Sequence, residues 1–79
     1  MAATYERFAH GWIRRIEGGK VNVYVGRHDI EPNLSDLVGC VAPDASHLRA
    51  FYIRFADRPL DLGLFDSEHE AVDAIFEED

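Results

Sequence analysis

Fifteen carboxylates, four histidines and one cysteine are the side chains of this 79-residue chain that could do chemistry. Their spacing decides what they can do. No two of His10, His28, His47 and His69 stand three or four residues apart, and no H-E-x-x-H or C-x-x-C pattern occurs. Neither metal nor cofactor is therefore expected. His28-Asp29, a histidine–carboxylate neighbour pair in a loop, reads as a surface or capping feature. Cys40 has no helix N-terminus or motif to activate it and no second cysteine to pair with, so it reads as a small buried thiol. Gly18-Gly19 is followed by a strand pattern rather than a helix, which makes it a turn and not a phosphate loop.

The carboxylates are unevenly spread. Residues 1–56 carry seven basic and six acidic side chains, a net of +1, whereas residues 57–79 carry Arg58 against nine acids, a net of −8. Phosphate repels such a surface, so non-specific nucleic-acid binding is not expected. A protein partner with a basic surface, or a site that normally holds nucleic acid, is its electrostatic complement. Asp66, Glu68 and Glu70 fall at the start of an expected helix, where the helix dipole welcomes them. Glu77, Glu78 and Asp79 fall at its other end, where the dipole opposes them, and Asp73 and Glu77 are a like-charged i, i+4 pair. Local stability does not explain this second group. With Asp61 nearby, Asp73, Glu77, Glu78 and Asp79 are the candidate partner-binding carboxylates, and a solvated tail is the plainer alternative. Tyr24 and Tyr52, with Arg15 and Arg54, form a second candidate on the outer sheet face, where cross-strand structural pairs are the alternative.

These side chains need elements to place them. The chain from His10 to Arg27 reads as a hairpin turning at Glu17-Gly18-Gly19-Lys20, since two glycines supply the positive φ values of a two-residue turn. That turn sets Trp12 against Val25, Arg14 against Val23 and Ile16 against Val21. Trp12, Ile16, Val21, Val23 and Val25 then share the core face, with Arg14 as its misfit, and Ile13, Tyr24, Arg15 and Asn22 face solvent. Turning the valines outward would cost about 1.5–3 kcal/mol for each side chain.

Met1 to Glu6 reads as a lead-in to this hairpin, with Tyr5 and Phe8 at the sheet edge. Arg27 to His47 reads as an irregular connection punctuated by Pro32, Gly39 and Pro43, with one helical turn capped by Asn33 and stopped by Gly39; either Leu34, Leu37 and Val38 pin that turn to the core, or the loop has a role of its own. Leu48 to Phe55 alternates with Phe51, Ile53 and Phe55 inward, and Leu60 to Leu64 returns antiparallel after a turn at Asp57-Arg58-Pro59. Ser67 and Glu70 have capping-box spacing, and Ala71, Val72, Ile75 and Phe76 fall on one helical stripe. The expectation is one α+β domain: a four-stranded antiparallel sheet, a C-terminal helix on one face and a short helical turn in the central loop. No apolar run reaches the length of a membrane span and no signal-peptide core opens the chain, so a cytoplasmic protein is expected. A monomer is expected too, with edge-strand pairing as the alternative.

Leu64-Phe65-Asp66-Ser67-Glu68-His69-Glu70-Ala71 is a strand running into an acid-capped helix. In this junction, and in its small acidic α+β layout, the chain resembles phage-encoded anti-CRISPR proteins that inhibit type I systems. The resemblance implies a stoichiometric, non-enzymatic inhibitor of the CRISPR effector complex or of its recruited nuclease-helicase. Its rivals are an interaction module without inhibitory role and a small enzyme with its site in the 27–47 loop.

Overall fold

The computed structural model describes residues 4–79, so the first three residues of the expected lead-in lie outside it. Six strands follow one another: β1 (Glu6–Phe8), β2 (Gly11–Arg15), β3 (Val21–Val25), β4 (Leu37–Asp44), β5 (His47–Tyr52) and β6 (Leu60–Phe65). They form one antiparallel meander in sequence order, and helix α1 (Glu68–Glu78) closes one face. The α+β class with its C-terminal helix is as expected, but the sheet has six strands rather than four.

The added strands are β1, a three-residue edge, and β4, whose eight residues lie within the connection expected to be irregular. Gly39 and Pro43 look like breakers in β4, yet each is accommodated. A side chain at Gly39 would run into the Phe51 carbonyl oxygen and come within 2.9 Å of Ile75 Cγ2. Only glycine fits between the backbone of the neighbouring strand and the helix above it. The helical turn before β4 is a single 3₁₀ turn at Leu34–Asp36. Asn33 Oδ1 accepts from the Ser35 N–H (3.0 Å), and Asp36 Oδ2 accepts from the Asn33 N–H (3.0 Å). It ends at Asp36, earlier than the expected stop at Gly39.

The first hairpin forms, with both glycines at positive φ, but its register differs by one residue. Ile16 N–H donates to Lys20 O (2.9 Å), which leaves a three-residue loop, Glu17–Gly19, instead of two. The valines of β3 still face the core. The slip is taken up by β2, so that Ile13 lies opposite Val23 and Trp12 opposite Tyr24. Ile13 is thus fully buried where Trp12 and Ile16 were expected, Ile16 is exposed, and the Arg14 misfit disappears to the other face. Arg15, now on the helix face, makes a bidentate contact with Glu68 (2.7 and 2.9 Å) and a further one with Glu6 (2.9 Å).

Beneath α1, Ile13, Val21, Val23, Val38, Val41, Ala50 and Tyr52 pack against Ala71, Val72 and Ile75. Ser67 caps the helix, its Oγ accepting from the Glu70 N–H (3.2 Å). The Glu70 carboxylate accepts from the Ser67 hydroxyl (3.1 Å) and not from the backbone. On the opposite sheet face Trp12 and Tyr24 form a second buried cluster with Tyr5, whose ring meets Tyr24 edge-on at 5.4 Å. Both open edges of the sheet are blunted. β1 is short, and β6 carries a bulge at Leu62, beside which Asp61 Oδ1 occupies the Gly63 N–H (2.8 Å).

Candidate functional site

An antiparallel meander sends its connections alternately to the two ends of the sheet. One end, the turn end, holds residues 16–20, 45–46 and 66–67. The other, the loop end, holds residues 9–10, 26–36 and 53–59, and α1 delivers its C-terminal residues there. Clefts of about 400 and 500 Å³ open at the loop end, the first between His10, Val25, the helix residues Asp73, Phe76 and Glu77, and Asp79 just past the helix.

Side-chain and backbone bonds from distant residues build the loop end. The Trp12 indole N–H donates to Arg27 O (3.0 Å), and His28 Nε2 lies 2.6 Å from Phe8 O and 3.0 Å from Gly11 O. Facing two carbonyl oxygens, that nitrogen must be the protonated one. Val38 O accepts from both Ile53 N–H (2.8 Å) and Arg54 N–H (3.2 Å), which fastens the 53–59 loop to the start of β4. The Tyr52 hydroxyl donates to Asp79 Oδ1 (2.9 Å), and Arg54 reaches the other oxygen of the same carboxylate at 3.5 Å. Burial and the neighbouring Asp79 push the Tyr52 phenol above its ordinary pKa.

On this frame stand four exposed large apolar side chains: Ile30, Leu34 (80% exposed), Phe55 (73% exposed) and Leu60. The Arg54 guanidinium lies over the Phe55 ring, 4.9 Å from its centroid. Residues 26–36, 53–59 and 77–79 together carry three arginines against seven carboxylates, a net of −4. Arg27 pairs with Asp29 and Arg54 with Asp79, while Glu31, Asp57, Glu77 and Glu78 have no ion-pair partner among the described residues.

The structure divides the candidate residues. Asp73, Glu77, Glu78 and Asp79 share the loop end. Glu77 and Glu78 are exposed, whereas the Asp79 side chain is only 18% exposed and anchors Tyr52. Asp73 Oδ2 sits 3.1 Å from His69 Nε2, and its other oxygen is buried without a partner among the described residues. Asp61 lies within β6, bound by Arg49 (2.6 Å), which also holds Asp44 (2.8 Å). The Gly63 N–H, then Arg49, hold its carboxyl below the usual range.

Tyr24 and Tyr52 do not share an outer face. Tyr52 is in the core beneath α1, and Tyr24 is buried beside Trp12 on the far side of the sheet. Arg15 joins the helix face at the turn end. The four apolar residues of the loop end were missed as a set. Phe55 is expected inward and Leu34 is one of the residues that could pin its turn to the core, yet both are exposed, and only the strand order reveals that these separate segments share one end.

Cys40 is half-buried, and burial pushes its thiol up. Among the described residues no group of three or more His, Cys, Asp or Glu is arranged to hold a metal ion, and no helix is long and apolar enough to cross a membrane. No protein-family model, curated protein or solved structure matches the chain.

Proposed function

We propose that this protein is a non-enzymatic binding protein that docks on a basic protein surface through the acidic end of α1. The observation that carries this reading is the position of Glu77 and Glu78. Both are exposed, neither has an ion-pair partner among the described residues, and both lie where the helix dipole disfavours negative charge. Charge kept where local physics opposes it is available to a partner. Asp73 and Asp79 have internal partners and act instead as the fixed wall of the adjoining cleft.

The resemblance to anti-CRISPR inhibitors supplies a specific form of the proposal. In that form the basic surface belongs to a type I CRISPR effector complex or its nuclease-helicase, and occupying it blocks DNA interference. The test is titration of the chain, and of a Glu77→Lys, Glu78→Lys variant, against each purified assembly at two salt concentrations. Wild type should bind, more weakly as salt shortens the Debye length, and the variant should lose at least about tenfold in affinity while remaining folded. Equal binding by the variant would remove the helix end as the contact surface. Binding to neither assembly would end the CRISPR form of the proposal.

A further inference from the structure

Carboxylates give a docking surface attraction and orientation, but affinity in most interfaces comes from a few apolar or aromatic anchors inside a polar rim. The loop end has both, joined by a continuous chain of contacts. Leu60 pairs with Tyr52 across β5 and β6, and residues directly opposite share a face, so Leu60 lies on the helix side of the sheet. Tyr52 holds Asp79, Asp79 meets Arg54, and Arg54 covers one side of the Phe55 ring. The backbone of Arg54 is bonded to Val38 O, and the 3₁₀ turn carrying Leu34 leads directly into that strand.

Resting on the reading above, we infer that Leu34, Phe55 and Leu60 are the apolar anchors of the docking surface, and that their occupant is a basic amphipathic helical segment of the partner protein. Its apolar side covers the three residues, and its lysines and arginines reach Glu77, Glu78 and Asp57. Charge selects this occupant over the others that an apolar patch could take. The loop end carries a net charge of −4 on a chain of −7, so a second copy, an anionic membrane and a nucleic acid are all repelled. The anchors also sit on hydrogen-bonded backbone, Leu34 in a turn closed by its own Asn33 and Asp36 caps and Phe55 next to Arg54, whose N–H is bonded to Val38 O, so little order has to be imposed on binding.

The experiment uses two synthetic peptides of equal length and charge, one a lysine–leucine amphipathic helix and the other a lysine–serine control. Each is titrated into the ¹⁵N-labelled full chain and followed by amide chemical shifts and fluorescence anisotropy. The lysine–leucine peptide should bind at least about tenfold tighter. Its shifts should centre on residues 33–37 and 53–60 as well as 77–79. A Leu34→Ser, Phe55→Ser variant, altered only at exposed positions, should erase the preference between peptides while still binding both weakly. The Glu77→Lys, Glu78→Lys variant should weaken both peptides alike.

Equal affinities for the two peptides in wild type, with the charge variant still defective, would overturn the anchors and leave the acidic docking reading standing. Shifts centred on Phe51 and Leu64 of the open sheet face would overturn the anchors too. Binding of neither peptide, or binding indifferent to Glu77 and Glu78, would overturn both.

Discussion

At the turn end, Ala45 and Ser46 alone join β4 to β5, while at the loop end residues 26–36 separate β3 from β4 and residues 53–59 separate β5 from β6. The turn end is closed by its own local sequence: paired glycines at 18 and 19, a two-residue turn, and a serine cap. Arg15 to Glu68 and His47 to Asp66 (3.2 Å) then tie strands to the helix start. The loop end is shaped by groups far apart in sequence, such as Trp12 with Arg27 and Tyr52 with Asp79. Short loops leave nothing over for a partner. Longer ones, held by their own caps and by bonds from a distance, can expose Leu34 and Phe55 without losing their shape.

The severest way to break this contrast is Trp12→Ala, which empties the buried aromatic cluster and unties Arg27. It should cost about 3–5 kcal/mol in a denaturant titration, enough to unfold much of so small a domain. A well-folded Trp12→Ala protein would show that the loop end does not depend on this corner. Trp12→Phe keeps a ring but loses the indole donor. It should speed amide exchange across residues 27–36 and leave Ser46 and His47 unchanged.

Tyr52→Phe removes the hydroxyl that holds Asp79. A thermal melt should fall by about 4–8 °C, the shift produced by one hydrogen bond of ordinary strength in a domain of this size. The phenol's pKa is raised in the folded chain above its ordinary 10.0. The stability it contributes is therefore complete below that pH and is lost as pH rises through the folded-state value. The phenylalanine variant should show a smaller alkaline loss than wild type. Cys40, also raised, titrates in both proteins and cancels in the comparison.

The turn end offers a smaller test in the opposite direction. Ala45 has φ 55°, a left-handed conformation that penalises a side chain. Ala45→Gly should stabilise by about 0.5–1 kcal/mol, net of glycine's greater freedom when unfolded. A lower melting temperature would mean that the turn does not hold this strain. The least change is expected from Glu77→Lys with Glu78→Lys. Better matched to the helix dipole, it should gain about 0.3–1 kcal/mol at low salt and lose that gain at high salt.

The same contrast explains what could be read from the sequence. The turn-end features, the paired glycines and the Ser67 cap, were legible because each is a local signal. The hairpin register was missed by one residue because Gly18-Gly19 fits two loop lengths, and Arg14 stranded among valines was the warning. β4 was hidden by Gly39, whose reason for being glycine lies in the Phe51 carbonyl of the neighbouring strand and in Ile75 of the helix, both far off in sequence. The face of β5 was misread because Phe51, Ile53 and Phe55 are more apolar than Leu48, Ala50 and Tyr52. The strand in fact ends at Tyr52, which leaves Ile53 and Phe55 to the loop. Of the candidate site, the acidic helix end was visible as charge against dipole. The apolar anchors beside it were not, since their neighbourhood is set by strand order and not by spacing.

Strand order also shapes how the chain reaches this state. Every strand pairs with the one before it, so each pairing closes only the loop between neighbours and the sheet can zip up as a series of hairpins. The helix cannot join early. It comes last in the sequence and lies across β4, β5 and β6. Until Ala71, Val72 and Ile75 arrive, Val23, Val41 and Ala50 face water. During synthesis a chain halted before residue 68 would therefore present a nearly complete sheet with one bare apolar face, the species most prone to aggregate. Docking of α1 converts that intermediate into the native protein, and the same step carries Glu77 and Glu78 to the end where the loops await a partner.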